Sequence, residues 1–305
     1  MTTGTAMTSD SALDVDRLVG LRIAPNRKPW QWAATAVLVV LFGLMVASVA
    51  TNENMGWSVV GDYLFKAEIL RGVGWTVLLT VLCMVLATVL GVVIAVLRTS
   101  DNRVLSAAAS LYLWFFRGTP LLVQLIFWFN LALVFPLLGP AVFFGESAGG
   151  IDTNQAINWF MAALLGFGLH EAAYMSEVVR GGFLAIDRGQ TEAAESLGMT
   201  GGQTLRRVLL PQALRVIVPP SVNQFVNLFK ATSLVAFISG QDLLSSVTHI
   251  YATNYQVIPL LIVASIWYLV LVSLATFGQH VLEKRLGQGH AHATAKATKT
   301  VKGAK

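Results

Sequence analysis

Long apolar runs separated by short polar segments dominate this chain. An α-helix needs about 20 mostly apolar residues to cross a bilayer. Six segments come close to or exceed that length, and they cover residues 30–50, 72–97, 121–138, 155–179, 212–237 and 257–282. The pattern therefore predicts an all-α membrane protein with six transmembrane helices.

The polar segments between these runs predict loops and surface elements. Residues 51–71 and 139–153 are predicted to be outer loops, and residues 239–255 a re-entrant or outer segment. Asn102–Phe116 combines Arg103 with large aromatic residues and is followed by Arg117, which is typical of an amphipathic helix at the membrane interface.

The two ends of the chain are polar. Residues 1–29 contain no apolar stretch typical of a secretory leader, so we predict a cytoplasmic tail and not a cleaved signal peptide. Residues 286–305 are a low-complexity basic segment of alanine, threonine, lysine and histidine, for which we predict disorder.

Composition supports a membrane protein and excludes several other classes. Only 12% of the residues are charged, against about 25% in ordinary soluble domains. The lone cysteine, Cys83, allows no intrachain disulfide and is expected to be a small core side chain. No zinc motif and no catalytic triad can be recognised, and no P-loop motif is present, so the chain is not expected to be an ATPase or another enzyme.

The positive charges determine the predicted orientation. All but three of the 21 lysines and arginines fall on one side of the predicted spans, the exceptions being Lys66, Arg71 and Lys230. Cytoplasmic segments of membrane proteins carry an excess of lysine and arginine. We therefore place both termini and the segment 190–211 in the cytoplasm.

Residues 190–211, QTEAAESLGMTGGQTLRRVLLP, form a polar loop between the fourth and fifth predicted spans. The segment around Glu192 predicts a short helix that Gly198 ends. A second short helical run is predicted over Gly202–Leu210, and Pro211 is expected to reset the chain before the next span. Two short helices joined by a glycine elbow would form a compact knob.

This stretch resembles the EAA loop of importer-type ABC transporter permeases. That signature is Glu-Ala-Ala, three residues, Gly, nine residues, an aliphatic residue, any residue, and Leu-Pro. Every spacing is met by Glu192-Ala193-Ala194, Gly198, Val208 and Leu210-Pro211, although isoleucine is usual at position 208. Three flanking segments are similar to the polar amino acid branch of these permeases: FRGTPLLVQL (116–125), AAYMSEVVRGG (172–182) and LFKATSLV (228–235).

The resemblance covers about residues 70–285 and implies a MetI-like transmembrane domain. Residues 30–50 would then be an extra N-terminal helix. It further implies the permease subunit of a type I ABC importer in the bacterial inner membrane, carrying a polar amino acid or a related small solute. The residues implied to dock a separate ATPase are Glu192 as the polar contact, Ala193 and Ala194 as sites of close approach, Gly198 as the elbow, and Leu210 with Pro211.

The resemblance also implies partners. ATP and magnesium would bind the ATPase subunit, and this chain would hold no cofactor. A second copy or a sister permease would complete the pathway across the bilayer, and an external solute-binding protein would deliver the cargo. The remaining interpretation of the loop is an ordinary amphipathic segment with no partner.

Polar residues inside the predicted spans are candidates for the cargo pathway, because a charge at the bilayer centre costs about 3 kcal/mol or more. Lys230 and Glu171 form a candidate pair for the carboxylate and ammonium groups of a zwitterion. An acid at position 171 departs from the small or neutral polar residue that is common in the family, and this indicates either a different cargo or a preference for a cationic amino acid. Further candidates are Asn223 and Asn227 on the helical stripe of Lys230, Tyr174 near Glu171, and Gln124 on the third span.

Other functions remain open on these residues alone. Lys230 could instead hold helices together by pairing with Glu177 or with backbone carbonyls. A secondary transporter driven by an ion gradient would predict inverted repeats with broken helices at matching places, and none is visible. A purely structural membrane scaffold would leave Lys230 and Glu171 unexplained.

Overall fold

The computed structural model describes the backbone of residues 29–145 and 148–302 and the side chains of residues 30–145 and 148–284. The chain forms two compact units, residues 1–55 and 56–305. In the first unit, helix α1 covers Pro29–Thr51 and a 3-10 turn covers Glu53–Met55. Helix α1 is long and apolar enough to cross a membrane, which confirms the predicted extra helix as an element.

Helices form almost all of the second unit. In chain order they are α2 (Trp57–Leu64), α3 (Ala67–Arg98), α4 (Arg103–Gly118), α5 (Leu121–Phe129), α6 (Ala141–Phe144), α7 (Thr153–Ala156), α8 (Trp159–Leu184), α9 (Arg188–Ser196), α10 (Gly201–Thr204), α11 (Leu210–Ala231), α12 (Leu243–Asn254) and α13 (Val257–Lys302). Two short strands, β1 (Leu137–Leu138) and β2 (Ile151–Asp152), pair antiparallel on either side of α6. The predicted all-α class is therefore confirmed apart from this small hairpin.

The number of spans differs from the predicted six. Within the described residues, α1, α3 and residues 257–284 of α13 are long and apolar enough to cross a membrane. A fourth span results if α4 and α5 are counted as one element bent by 101°. Helices α8 and α11 lie where the fourth and fifth spans are predicted, but both carry charged side chains.

The predicted third span, residues 121–138, is wrong as a single helix. Helix α5 ends at Phe129, and a 3-10 turn with strand β1 follows. Pro136, Gly139 and Pro140 come next in the sequence. Proline lacks a backbone N–H and glycine has high conformational freedom, so this composition favours a turn over a longer helix.

Several predicted boundaries shift. The second span begins at Ala67 and not at Gly72, and the predicted loop before it contains α2. The backbone of α13 is helical to Lys302, which differs from the disorder predicted for residues 286–302, and residues 303–305 lie outside the described part of the chain. Alanine and lysine both favour helix, so this composition can continue α13 beyond its apolar part.

Helices α3 and α8 pack closely to form the centre of the second unit. A Cβ atom added at Gly91 would lie 2.6 Å from the Cβ atom of Met175, so only glycine fits this crossing. Cys83 and Phe167 are fully buried in the adjoining core cluster. The core location predicted for the cysteine is thereby confirmed.

Helix α12 accounts for the predicted re-entrant or outer segment. Its 12 residues span about 18 Å at 1.5 Å per residue, which is too short to cross a bilayer. The Asp242 carboxylate caps its first turn by accepting from the backbone N–H groups of Leu244 and Ser245. The Leu243 N–H donates to the Thr76 hydroxyl at 3.1 Å, which fixes the start of α12 against α3.

Candidate functional site

The first half of the loop 190–211 ends in a defined turn at Gly198. Helix α9 begins after Asp187, whose carboxylate accepts from the Gly189 N–H at 2.7 Å. Gly198 has φ +74°, a conformation that favours glycine. Its N–H donates to the Glu195 carbonyl at 2.9 Å, and the Met199 N–H donates to the Ala194 carbonyl at 3.1 Å. This pair of bonds is a Schellman turn, and it agrees with the elbow expected at Gly198.

The second half of the loop starts with a capping box. The Thr200 hydroxyl accepts from the Gln203 N–H, and the Gln203 side chain accepts from the Thr200 N–H. Helix α10 then passes into a π-helical segment, Leu205–Leu209, and on into α11 without a break. The expectation that Pro211 resets the chain is wrong, because the helix continues through this proline from the π-helical segment into α11.

The predicted docking residues differ in accessibility. Glu192, Ala193, Gly198 and Pro211 are exposed on the loop. Ala194 is only 3% exposed, so its small side chain serves packing within the chain and is closed to a partner.

Leu210 is only partly exposed, and it lines an apolar cavity of about 570 Å³ between α3, α8 and α11. Sequence analysis did not select Leu197, which is 82% exposed beside the elbow. Leu197 directly precedes the glycine that ends the helix, and this position was the sequence feature that could have indicated an exposed side chain.

The polar stripe predicted on the fifth span lies on α11. Asn223, Asn227 and Lys230 are all exposed along one face of this helix. Lys230 lines a cavity of about 380 Å³ together with Ser233 and, from α13, Ser265 and Tyr268. These side chains can donate to and accept from a small polar solute.

Glu171 lies apart from this stripe. It is 8% exposed on α8, and its Oε2 atom has no hydrogen-bond partner among the described residues. Among those residues, no ion pair or hydrogen bond joins Glu171 to Lys230. The structure therefore does not bring together the pair that the sequence suggested for a zwitterion.

Gln124 stabilises the bend between α4 and α5. Its side chain is 4% exposed, and Nε2 donates to the Phe116 carbonyl at 3.0 Å and to the Thr119 hydroxyl at 2.7 Å. These bonds satisfy groups at the end of α4 that the bend leaves without helical partners. The structure thus gives Gln124 a role in the bend, where the sequence suggested a pathway residue.

Glu177 gathers three arginines from three elements. Oε1 accepts from Arg98 at the end of α3 and from Arg117 of α4 at 3.3 Å. Oε2 accepts two bonds from Arg180, at 3.0 and 2.7 Å. The suggested pairing of Glu177 with Lys230 is not observed among the described residues.

Tyr174 lies at the edge of this cluster, and sequence analysis did not select the cluster as a site. The Tyr174 ring packs against His170 with centroids 5.2 Å apart, and the Arg117 guanidinium lies 5.4 Å from it. The available signal was the position of Arg98 and Arg117, each at the end of a predicted apolar or amphipathic segment.

The chain matches the family model described as binding-protein-dependent transport system inner membrane component over residues 87–288. It is 41% identical to the arginine transport system permease protein ArgU of Corynebacterium glutamicum, covering 87% of this chain and 83% of that one. It is 37% identical to the L-cystine transport system permease protein TcyB of Bacillus subtilis, covering 70% and 85%.

Two solved structures of ABC transporters are similar to this chain in fold. The crystal structure of an amino acid ABC transporter with histidines matches with a TM-score of 0.61 at 30% identity, covering 72% of this chain and 94% of that one. A bacterial alginate ABC transporter also reaches a TM-score of 0.61, at 12% identity and with coverage of 84% and 95%, which shows the fold alone.

Proposed function

The chain belongs to the binding-protein-dependent transport system inner membrane component family, and from this membership we propose that it is the permease subunit of an ABC importer for a polar amino acid. The two relatives above carry names of arginine and cystine transport systems. The polar face of α11 provides amide groups and one ammonium group suited to such a solute. Both observations support an amino acid cargo.

One structural observation carries the proposed coupling: the last part of the loop, from Leu205, and the Lys230 stripe belong to one continuous helix. From Leu205 to Ala231 the chain is helical without interruption, first as a π-helical segment and then as α11. At 1.5 Å per residue, this rod is about 40 Å long. A displacement of the loop would therefore be carried to the face that contains Lys230.

Pro219 and Pro220 lie inside α11, between the loop and Lys230. Proline inside a helix removes a backbone hydrogen bond and favours a kink. The rod is thus easiest to bend at this pair. We propose that closure of the ATPase subunits moves the loop, and that α11 bends here while its outer part exposes the stripe to one side of the membrane or to the other.

The proposed assembly has four kinds of component. A separate ATPase binds ATP and magnesium and receives the cytoplasmic loop, with Glu192, Ala193 and Leu197 at the contact. A second copy of this chain or a sister permease completes the pathway, and an external solute-binding protein delivers the cargo. Both termini lie in the cytoplasm, in agreement with the distribution of lysine and arginine.

Two matched valine variants test the proposal. Gly198→Val places a β-branched residue at φ +74°, where it is strained. Gly202→Val is the control, because this glycine is helical, has no atom within 4 Å of an added Cβ, and lies in the same loop. Tagged chains would be extracted from their native membrane in mild detergent, and uptake would be measured in parallel.

We expect the parent and Gly202→Val to retain a P-loop ATPase and ATP-dependent uptake. Gly198→Val should lose both while remaining inserted in the membrane. Normal uptake by Gly198→Val would refute coupling through the elbow. Uptake by the purified chain in liposomes under an ion gradient without ATP would favour the secondary transporter.

A further inference from the structure

The arginine cluster around Glu177 has a surplus of positive charge. Arg180 donates two bonds to a single oxygen, Oε2, and its one positive charge already balances the charge of this carboxylate. Arg98 and Arg117 share the other oxygen, Oε1. Each guanidinium has five N–H donors, and Glu177 accepts only one from each of these two arginines. Two positive charges and several donors are therefore available to an anion.

These free donors face a cavity. The cavity has a volume of about 420 Å³, and its lining includes Arg98, Arg117, Trp114, Tyr174 and the Glu177 carboxylate that the arginines share. The side chains of Arg98 and Arg117 are 31% and 44% exposed, so both are accessible while Glu177 orients them. Two like charges on one carboxylate oxygen repel each other, and an anion in the cavity would relieve that repulsion.

The exposed face of α4 that meets the cavity at Trp114 is apolar and aromatic. On α4, Leu111 is 63%, Trp114 72% and Phe115 48% exposed. Tryptophan favours the headgroup level of a membrane, and amphipathic helices lie in that plane with their apolar face toward the acyl chains. A free phosphate ion would use the arginines alone, whereas a lipid would use both the arginines and this apolar face.

We propose that the cavity between α3, α4 and α8 binds the phosphodiester headgroup of an anionic phospholipid of the inner leaflet. The phosphate accepts from Arg98 and Arg117, Trp114 lies beside the glycerol, and the acyl chains follow the exposed face of α4. Basic pockets between transmembrane helices on the cytoplasmic side are suited to acidic headgroups. The inference rests on the proposed cytoplasmic location of the ends of α3 and α4 and is independent of the cargo.

Binding of phosphatidylglycerol to the purified full chain in mild detergent tests the inference. Native mass spectrometry would measure bound lipid over a concentration series, with phosphatidylcholine as the uncharged reference. Arg117→Gln removes one donor and leaves Glu177 with Arg98 and Arg180. Arg103→Gln is the matched control, since this arginine is exposed on the same helix and outside the cluster.

We expect the parent chain to prefer phosphatidylglycerol, and Arg117→Gln to weaken its binding by about tenfold, because a hydrogen bond to a charged group is among the stronger ones. Arg103→Gln should change binding by less than about twofold. Equal losses in the two variants would overturn the inference in favour of general attraction to basic residues. If millimolar glycerol 3-phosphate or inorganic phosphate displaces the lipid, the lipid proposal is overturned and the ligand of the cavity is a soluble phosphate compound.

A second variant covers the case in which Arg117→Gln does not fold. Trp114→Ala removes an exposed side chain and leaves all three arginines in place. It should weaken phosphatidylglycerol binding and leave the folded yield unchanged. Unchanged lipid binding in Trp114→Ala would overturn the proposed lipid contact.

Discussion

The side chains of Gln190 and Gln212 meet at the base of the loop 190–211. The Gln212 amide nitrogen donates to the Gln190 side-chain oxygen at 3.2 Å and to the Val208 carbonyl at 2.9 Å. Residue 190 opens the loop and residue 212 directly follows it, so one side-chain pair closes the loop 190–211. The first helix of the loop is thereby held against the start of the rod that leads to Lys230.

This closure predicts a graded effect of two alanine substitutions. Gln190→Ala removes the bond between the two side chains, and Gln212→Ala removes that bond and the one to Val208. An ordinary hydrogen bond contributes about 0.5–1.5 kcal/mol. Gln190→Ala, which loses one bond, should therefore weaken ATPase binding by at most about tenfold, and Gln212→Ala, which loses two, by at most about a hundredfold. Gln212→Ala should have the larger effect, measured as the affinity of the ATPase for the chain in nanodiscs. Equal affinity of Gln212→Ala and the parent would show that the loop holds its shape without this pair.

Leu197 is the apolar side chain that the loop presents beside its elbow. Burial of a leucine side chain contributes about 1.5–3 kcal/mol, so Leu197→Ser should weaken ATPase binding at least tenfold. The yield of folded chain should not change, since the side chain is 82% exposed before any partner binds. The same binding measurement in nanodiscs applies.

Phe143→Ser is the control for Leu197→Ser. Phe143 is also 82% exposed, but it lies on α6 in the hairpin, far along the chain from the loop. Its loss should leave ATPase binding unchanged. Parent-like binding by Leu197→Ser would place the contact on other residues of the loop.

The sequence predicted individual elements better than the relationships between them. The apolar runs predicted α1, α3 and α13, and the spacing around Gly198 predicted the elbow, because both depend on local preferences. The bend of 101° between α4 and α5 was missed. It depends on Gln124 reaching back to the end of α4, a contact that hydropathy does not report.

In the candidate site too, the sequence predicted a local pattern but not the contacts between helices. A helical stripe is a local pattern, and Asn223, Asn227 and Lys230 do share an exposed face. The suggested pairing of Lys230 with Glu171 or Glu177 required knowledge of which helices are neighbours. Glu177 is instead held by arginines from α3, α4 and α8, two of which lie 79 and 60 residues away in the chain.

Lys230 is predicted to serve the cargo and not helix packing. It is exposed at a cavity that also holds three hydroxyl-bearing side chains, and it has no ion-pair partner among the described residues. Lys230→Met keeps the length of the side chain and removes its charge. Since a hydrogen bond to a charged group contributes about 1.5–3 kcal/mol, uptake should fall at least tenfold while the amount of chain in the membrane stays constant.

Lys66→Met is the control for Lys230→Met. The Lys66 ammonium lies over the Tyr63 ring at 3.5 Å, in the segment predicted to be an outer loop. Uptake by this variant should stay close to that of the parent. A parallel fall of protein level and uptake in Lys230→Met would assign Lys230 to packing.

The orientation of the chain can be tested with its single cysteine. Cys83 is fully buried, so the parent chain should react little with a membrane-impermeant maleimide. Glu195→Cys and Asp62→Cys each place one thiol at an exposed position, on the loop and on α2 respectively. Because positive charges concentrate on the loop side, Glu195→Cys should be labelled in inside-out vesicles and protected in intact cells.

Asp62→Cys should show the opposite labelling, in intact cells and not in sealed inside-out vesicles. Each variant adds one thiol to the same chain, and the two variants differ only in the position of that thiol. The difference in their labelling therefore reports the side of the membrane and not the general reactivity of the chain. The reverse pattern would place the loop outside, beyond the reach of an ATPase that uses cytoplasmic ATP. That result would refute both the proposed coupling and the inner-leaflet lipid site, whereas the predicted pattern leaves each to be decided by its own binding measurement.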